Sequence, residues 1–510
     1  MSGNVLFRER IKKSFLSNII IQPFIIVLSI VSSVLIARIL GPELLAVIGT
    51  ITSYTAIAVV MFDFGIVRSI PKIIPDISVK YGKETAILVE KRLTHVKIFM
   101  TMLAVLSLVL LTKIGILKKP GAISHDTAFW VFVCMQSLLS AVLLIKQYTA
   151  ASAFKLWLVS SLALVFTILT PLLKIVGALV WRNPYFVVGA GIISNAFFII
   201  LLSIFAKYDL DENVVGKPLL INRFFKDYGI YILITYLLYF FNRFVYGLPL
   251  TIWIFNWIGE KSFVIGNLIV AVSIVRRGWD LANLPLKNLK APILARVFAS
   301  QNHKDYKLTQ NLMILVSIIS SGVLVISFYT IGVYMFNFLY GEKYYFAIQW
   351  GIHGCIIGLI FNYFSIGNST LHQANKFKPE IFALAISALF IILSDFFILK
   401  YVENFNKPLG IIITFVVGRG LFWLITDLWS EAKIFMWSGF GMKVRGLLSL
   451  GITLFLIKFL KNDLNIILLM FVGIAVYFIL FKLFGGINNE IREILNNSIG
   501  KRYRWILTIL

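Results

Sequence analysis

The chain has 510 residues, of which 59% are hydrophobic and 14% charged, with a formal net charge of +25. A soluble protein of this length needs more charged surface, and the Lys and Arg are not gathered into a basic soluble module that could bind nucleic acid. The apolar residues fall in runs of about 20, the length at which a helix crosses a hydrocarbon core; such runs exclude the short alternating strands of a membrane barrel.

Taken in chain order, the runs predict about fourteen spans. They lie at 19–39, 44–66, 97–117, 127–148, 156–177, 185–206, 228–257, 262–283, 312–338, 346–370, 380–401, 408–428, 443–460 and 464–484, with a short extra helix expected at 284–299. The first run follows Arg8, Arg10, Lys12 and Lys13 and has no small-residue cleavage site, so it reads as an uncleaved span. With the N-terminus inside, Lys and Arg favour the inner segments by roughly three to one. The reading is a multi-pass plasma (inner) membrane protein with both termini cytoplasmic. Every outer segment is short, which leaves no room for an outward catalytic domain, so a membrane enzyme is disfavoured. The inner connectors at 68–96, 207–227, 284–310 and 429–442 read as amphipathic segments at the headgroups.

The most polar stretch in the middle of the chain, at 207–227, separates six spans from the next six. Leu40-Gly41-Pro42-Glu43 precedes span two and Ile258-Gly259-Glu260-Lys261 precedes span eight, and each following helix carries an acid near its inner end. The expected fold is all-α: two six-helix bundles in pseudo-twofold repeat, 1–208 and 209–435, and 436–510 holding two extra helices and a cytoplasmic tail.

Polar residues inside a span are costly, so their spacing is informative. Asn18, Gln22, Ser29 and Ser33 share one face of span one, and Gln136, Ser140 and Gln147 one face of span four. Thr235, Tyr239, Asn242 and Tyr246 do so in span seven, and Asn362, Ser365, Ser369 and His372 in span ten. They read either as four stripes lining one hydrated passage or as helix–helix hydrogen bonds.

Among the charged residues, Arg243 stands near the middle of span seven with no acid one turn away. An unpaired Arg at that depth costs about 2.5–3.5 kcal/mol even on the lenient insertion scale, and a guanidinium fork suits phosphate. Pro249 on the same span is a candidate bending point. Arg276 and Arg277 end span eight and are candidates for an anionic substrate, with an Arg276–Asp280 intrahelical pair as the plainer reading. Asp63 and Asp280 are candidate ion-coupling acids; for Asp63, pairing with Arg68 or Lys72 is the plainer reading. Lys146 and Lys174 can snorkel to the surfaces. Asp63-Phe64-Gly65 lies in a span without a phosphate loop and is not a kinase triplet. The two cysteines, Cys134 and Cys355, lie inside apolar runs, and the five histidines lack metal-site spacing, so neither a cofactor nor a metal is expected.

Ala37-Arg38-Ile39-Leu40-Gly41-Pro42-Glu43, then Asp63-Phe64-Gly65 with Arg68-Ser69-Ile70-Pro71, then Leu339-Tyr340-Gly341-Glu342-Lys343-Tyr344, then Leu371-His372-Gln373-Ala374-Asn375-Lys376 occur in this order. The series resembles the polysaccharide and O-antigen flippases of the multidrug/oligosaccharidyl-lipid/polysaccharide exporter superfamily. The chain departs from that pattern at Ala46, where many members have glycine. The resemblance implies flipping of a lipid-linked oligosaccharide from the cytoplasmic to the outer leaflet by alternating access. The polyprenyl tail would stay in lipid while the sugar-phosphate head crosses. The residues agree with it: Arg243, Asn242, Tyr239, Tyr246, Gln22, Gln136, Asn362, Ser365, Arg276 and Arg277 offer the guanidinium, amide, hydroxyl and aromatic groups that hold sugar and phosphate. The expected partners are the lipid-linked substrate, membrane lipids and enzymes of glycan synthesis, with no nucleic acid, and the expected state is a monomer. A cation- or proton-coupled small-molecule exporter of the same superfamily is the alternative. It should carry an acid deep in its passage, and no acid stands at mid-span.

Overall fold

The structure is a computed structural model that describes residues 2–115, 126–152, 156–205, 221–240, 248–258, 260–286, 303–373, 376–402, 407–435, 437, 439–462 and 464–486. All regular structure among these residues is helical. Eleven of the helices are long and apolar enough to cross a membrane, and Val165–Trp181 is a shorter apolar helix. The chain is an all-α, multi-pass membrane protein.

By compactness the chain divides into two units, Met1–Ile269 and Val270–Leu510. The first contains α1 (Ser2–Met61), α2 (Ile66–Tyr81), α3 (Lys83–Lys113), α4 (Asp126–Ser152), α5 (Leu156–Trp181), α6 (Pro184–Phe205), α7 (Ile221–Phe240) and α8 (Leu248–Ile258). Helix α9 (Ser262–Asn283) carries the division between Ile269 and Val270. The second unit continues with α10 (His303–Thr330), α11 (Gly332–Tyr340), α12 (Tyr345–Phe361), α13 (Ser365–Gln373), α14 (Phe377–Tyr401), α15 (Lys407–Ser430), a π turn at Glu431–Phe435, α16 (Phe440–Leu460) and α17 (Ile466–Leu483).

In the first unit, the expected spans one and two are two helices joined at a kink: Gly41 has φ 76° and ψ 171°, outside the helical range. Only glycine takes that backbone cheaply, and Pro42 and Glu43 then suit the first turn beyond it. Gly266 on α9 lies against the Pro42 carbonyl with no room for a Cβ, so the turn is packed as well as bent. Val47, Ile51, Tyr54, Phe129 and Val133 are buried in one core, where Tyr54 stacks on Trp130. Helix α7 packs on α2, and α8 packs on α1.

In the second unit, α15 is the central element, touching α12, α13 and α14. Small residues allow it: Gly418 faces Ile391, and Gly420 faces Phe361. Helix α10 packs on α12, α16 and α17, while α16 and α17 pack on each other. The outward-facing side chains of α14, α16 and α17 are large and apolar, among them Phe382, Phe396, Phe455, Phe459 and Phe471, as a lipid-facing surface requires.

Candidate functional site

The sequence-based site residues fall in different places. Asn242, Arg243 and Tyr246 lie outside the described residues, as does the side chain of Gln22. Tyr239 is buried on α7. Gln136 is half-buried on α4, and its Oε1 has no hydrogen-bond partner among the described residues. The stripes of spans one, four and seven belong to the first unit, and that of span ten to the second.

Asp63 occupies the break between α1 and α2, where Phe64 (φ 45°) and Gly65 (φ 76°) turn the chain through the left-handed region. Its carboxylate is fully buried and forms an ion pair of 2.6 Å with Lys97 on α3. Lys97 also donates to the Val59 carbonyl at the end of α1. The cation thus comes from another helix; the side chains of the expected partners Arg68 and Lys72 lie outside the described residues. Beside the break, Gly65 lies against the Ile232 carbonyl of α7, Phe64 stacks on Tyr236, and Tyr236 Oη donates to the Met61 carbonyl over 2.8 Å. Asp76 on α2 accepts from Lys80 over 2.8 Å and from Tyr228 Oη on α7. That carboxylate holds the Lys80 ammonium above its ordinary pKa. Lys146 does not simply snorkel: it pairs at 2.9 Å with the buried Glu90 of α3.

In the second unit, Asn362 is fully buried at the end of α12. Its Nδ2 donates to Ser321 Oγ over 2.9 Å, its Oδ1 accepts from Asn283 Nδ2 over 3.0 Å, and its carbonyl accepts from Ser317 Oγ over 3.1 Å. Ser320 Oγ donates to the Ala282 carbonyl. This network ties α9, α10 and α12 together with the amide of Asn362 committed at both ends. Ser365 is buried on α13. Arg276, Arg277 and Asp280 are half-buried on α9, and none of the three is free.

Arg419 is a residue that the sequence reading passed over. It stands in the middle of α15, within the membrane-crossing segment Lys407–Ile434. Its guanidinium lies 4.8 Å from the ring centre of Trp279 on α9 and 5.0 Å from that of Trp423 on α15. The two indoles meet edge to face at 5.5 Å, with Phe415 beside Trp279 at 5.7 Å. Both indoles are buried, while Arg419 is only half-buried. At a half-buried guanidinium such cation–π contact contributes about 1 kcal/mol, which offsets part of the insertion cost of the charge. The signal was legible: one Arg inside the apolar run Gly410–Leu428.

Two other buried ionic groups were hidden. Asp395 on α14 is buried, with the Thr414 hydroxyl of α15 on its carboxyl. Lys443 on α16 reaches Asp427 Oδ2 at 2.6 Å and Glu431 Oε1 at 2.8 Å, and all three side chains are fully buried. Among the described residues, no cluster of three or more His, Cys, Asp or Glu side chains could hold a metal ion.

Helices long and apolar enough to cross a membrane, glycine-lined crossings, a broken first span and a guanidinium in the middle of α15 define a multi-pass membrane protein. Its fold is similar to those of solved membrane transport proteins. The chain is similar to the lipid II flippase MurJ in an inward closed conformation, with a TM-score of 0.62 and 17% identity over 92% of this chain and 98% of that one. It is also similar to an inward-facing multidrug resistance MATE family transporter, with a TM-score of 0.56 and 13% identity over 80% of this chain and 94% of that one. At these identities the likeness concerns the fold. No family model and no curated protein matches the chain.

Proposed function

We propose that the protein is a flippase that moves a lipid-linked oligosaccharide, on a polyprenyl phosphate or diphosphate, from the cytoplasmic to the outer leaflet by alternating access. The observation that carries this reading is Arg419, a half-buried guanidinium oriented by two indole faces in the middle of a membrane-crossing helix. Charged residues at such depth mark substrate pathways, and a fixed guanidinium recognises phosphate in a planar, bidentate way. The lipid flippase among the similar folds supports the same reading. In it the protein acts as a transporter rather than an enzyme. It resides as a monomer in the plasma (inner) membrane with both termini cytoplasmic, and receives its substrate from glycan-synthesising enzymes.

Purified protein in liposomes, supplied with a fluorescent polyprenyl-diphosphate oligosaccharide in one leaflet, tests the reading. Wild-type protein should expose the label to the other side, and Arg419→Ala should not. The alternative, a cation-coupled small-molecule exporter, is favoured by the buried Asp395 and by the similarity to a multidrug transporter. Counterflow of a cationic dye that depends on Asp395, with no movement of the glycolipid, would replace the flippase reading with that one.

A further inference from the structure

Charge counting separates the two buried ionic clusters. Asp63 and Lys97 are one acid and one base, neutral as a pair. Asp427, Glu431 and Lys443 are two acids and one base, all fully buried, and carry a net charge of −1. Glu431 is well supplied with donors: Lys443, Gln310 Nε2 at 3.4 Å and the Gly439 N–H at 3.2 Å. Asp427 Oδ2 has Lys443, and the Gly367 backbone closes on the same carboxyl.

Acceptor oxygens are left over. Asp427 Oδ1, Ser430 Oγ, Gln310 Oε1 and Asn311 Oδ1 have no hydrogen-bond partner among the described residues, and each belongs to a side chain more than nine-tenths buried. Asn311 Oδ1 is aimed at the cluster: it and Glu431 Oε1 approach the same point, the Cβ position of Gly439, at 3.3 and 2.6 Å. Asp427, Ser430 and Glu431 follow each other on one helical face (steps of three and four). The cations close in sequence to these residues, Lys307, Lys433 and Arg445, are exposed.

We propose that Asp427, Glu431, Ser430, Gln310 and Asn311 form a binding site for one alkali cation beside Lys443. One positive unit neutralises the cluster, which matches a monovalent ion rather than a divalent one. A single proton satisfies one acceptor, whereas several buried oxygens without donors match a hard cation that takes oxygen ligands. The joint that carries these residues is itself unusual. Glu431–Phe435 is a π turn, and Trp437 holds φ 64° while its N–H donates to the Glu431 carbonyl over 3.0 Å. π turns and left-handed non-glycine residues concentrate where structure serves function. Cation binding therefore holds the α15–α16 joint in this strained form. The proposal stands apart from the substrate reading and from Arg419.

The test is the unfolding midpoint of the full-length purified protein in detergent, with sodium, potassium or choline chloride at constant ionic strength and pH 7.5. Sodium or potassium should raise the midpoint in a saturating way by about 2 °C or more over choline, as ligand binding to the folded state requires. Asp427→Asn, which makes the cluster neutral without changing its shape, should unfold at the same midpoint in all three salts. Glu431→Gln serves as the second neutralising variant. An alkali-insensitive wild-type midpoint overturns the proposal. So does a midpoint that rises only on acidification in choline, which would make the site a proton site.

Discussion

Arg419 and Trp279 meet across two helices, α15 and α9, with the guanidinium 4.8 Å from the indole centre. Trp279 in turn closes on Gly358 of α12, where no Cβ would fit. A glycine on a third helix thus leaves the space taken by the indole on which the guanidinium rests.

Arg419→Ala should abolish glycolipid movement in liposomes while the protein still folds, since the substitution removes a charge that is costly to insert. Arg419→Lys should retain less than about a tenth of the rate, because an ammonium neither stacks on two indoles nor binds phosphate bidentately. Equal rates for Lys and Arg would show that only the charge matters.

Gly358→Ala should reproduce part of this defect without touching Arg419. The added methyl displaces the Trp279 indole and with it the guanidinium. Reduced transport with near-normal expression is the expected outcome, and an unaffected rate would detach Trp279 from function.

Lys97→Met should cost about 3–5 kcal/mol, because it strands the buried Asp63 carboxylate. The double change with Asp63→Asn should recover most of the loss. Denaturant or thermal unfolding of the three variants measures the coupling; additive losses would mean that the pair is not an energetic unit.

Gly65→Ala should cost about 1–3 kcal/mol from its left-handed backbone alone, and more because the Ile232 carbonyl occupies the space. Gly41→Ala, with nothing within 4 Å, should also destabilise, through the backbone alone, because its ψ of 171° lies in a region that essentially only glycine adopts. Thermal unfolding of the two variants measures both losses, and an unchanged midpoint for either would show that its backbone relaxes at no cost.

Asn362→Ala should destabilise by about 1–3 kcal/mol, since it takes one hydrogen-bond partner each from Asn283 and Ser321 in a buried network. Asn362→Asp with intact folding and lost transport would instead favour the substrate-contact role expected from its stripe.

Run length and composition were enough to read an all-α membrane protein, because lipid offers backbone groups no other partners. The turn at Gly41-Pro42 was also legible, since that backbone angle depends on local residue type; the break at Asp63-Phe64-Gly65 was not, because the apolar run continues through it and Phe64 takes a left-handed angle that its type disfavours. Arg419 was legible too, as the one Arg in the apolar run Gly410–Leu428. Partners were not: nothing in the sequence joins Asp63, at the break after α1, to Lys97 on α3. Asp427, Glu431 and Lys443 lay at expected span ends, where each looks ordinary by itself. Ion pairing and hydrogen bonding at short range join residues that are far apart in the chain, and only the packing of one helix on another decides which of them meet.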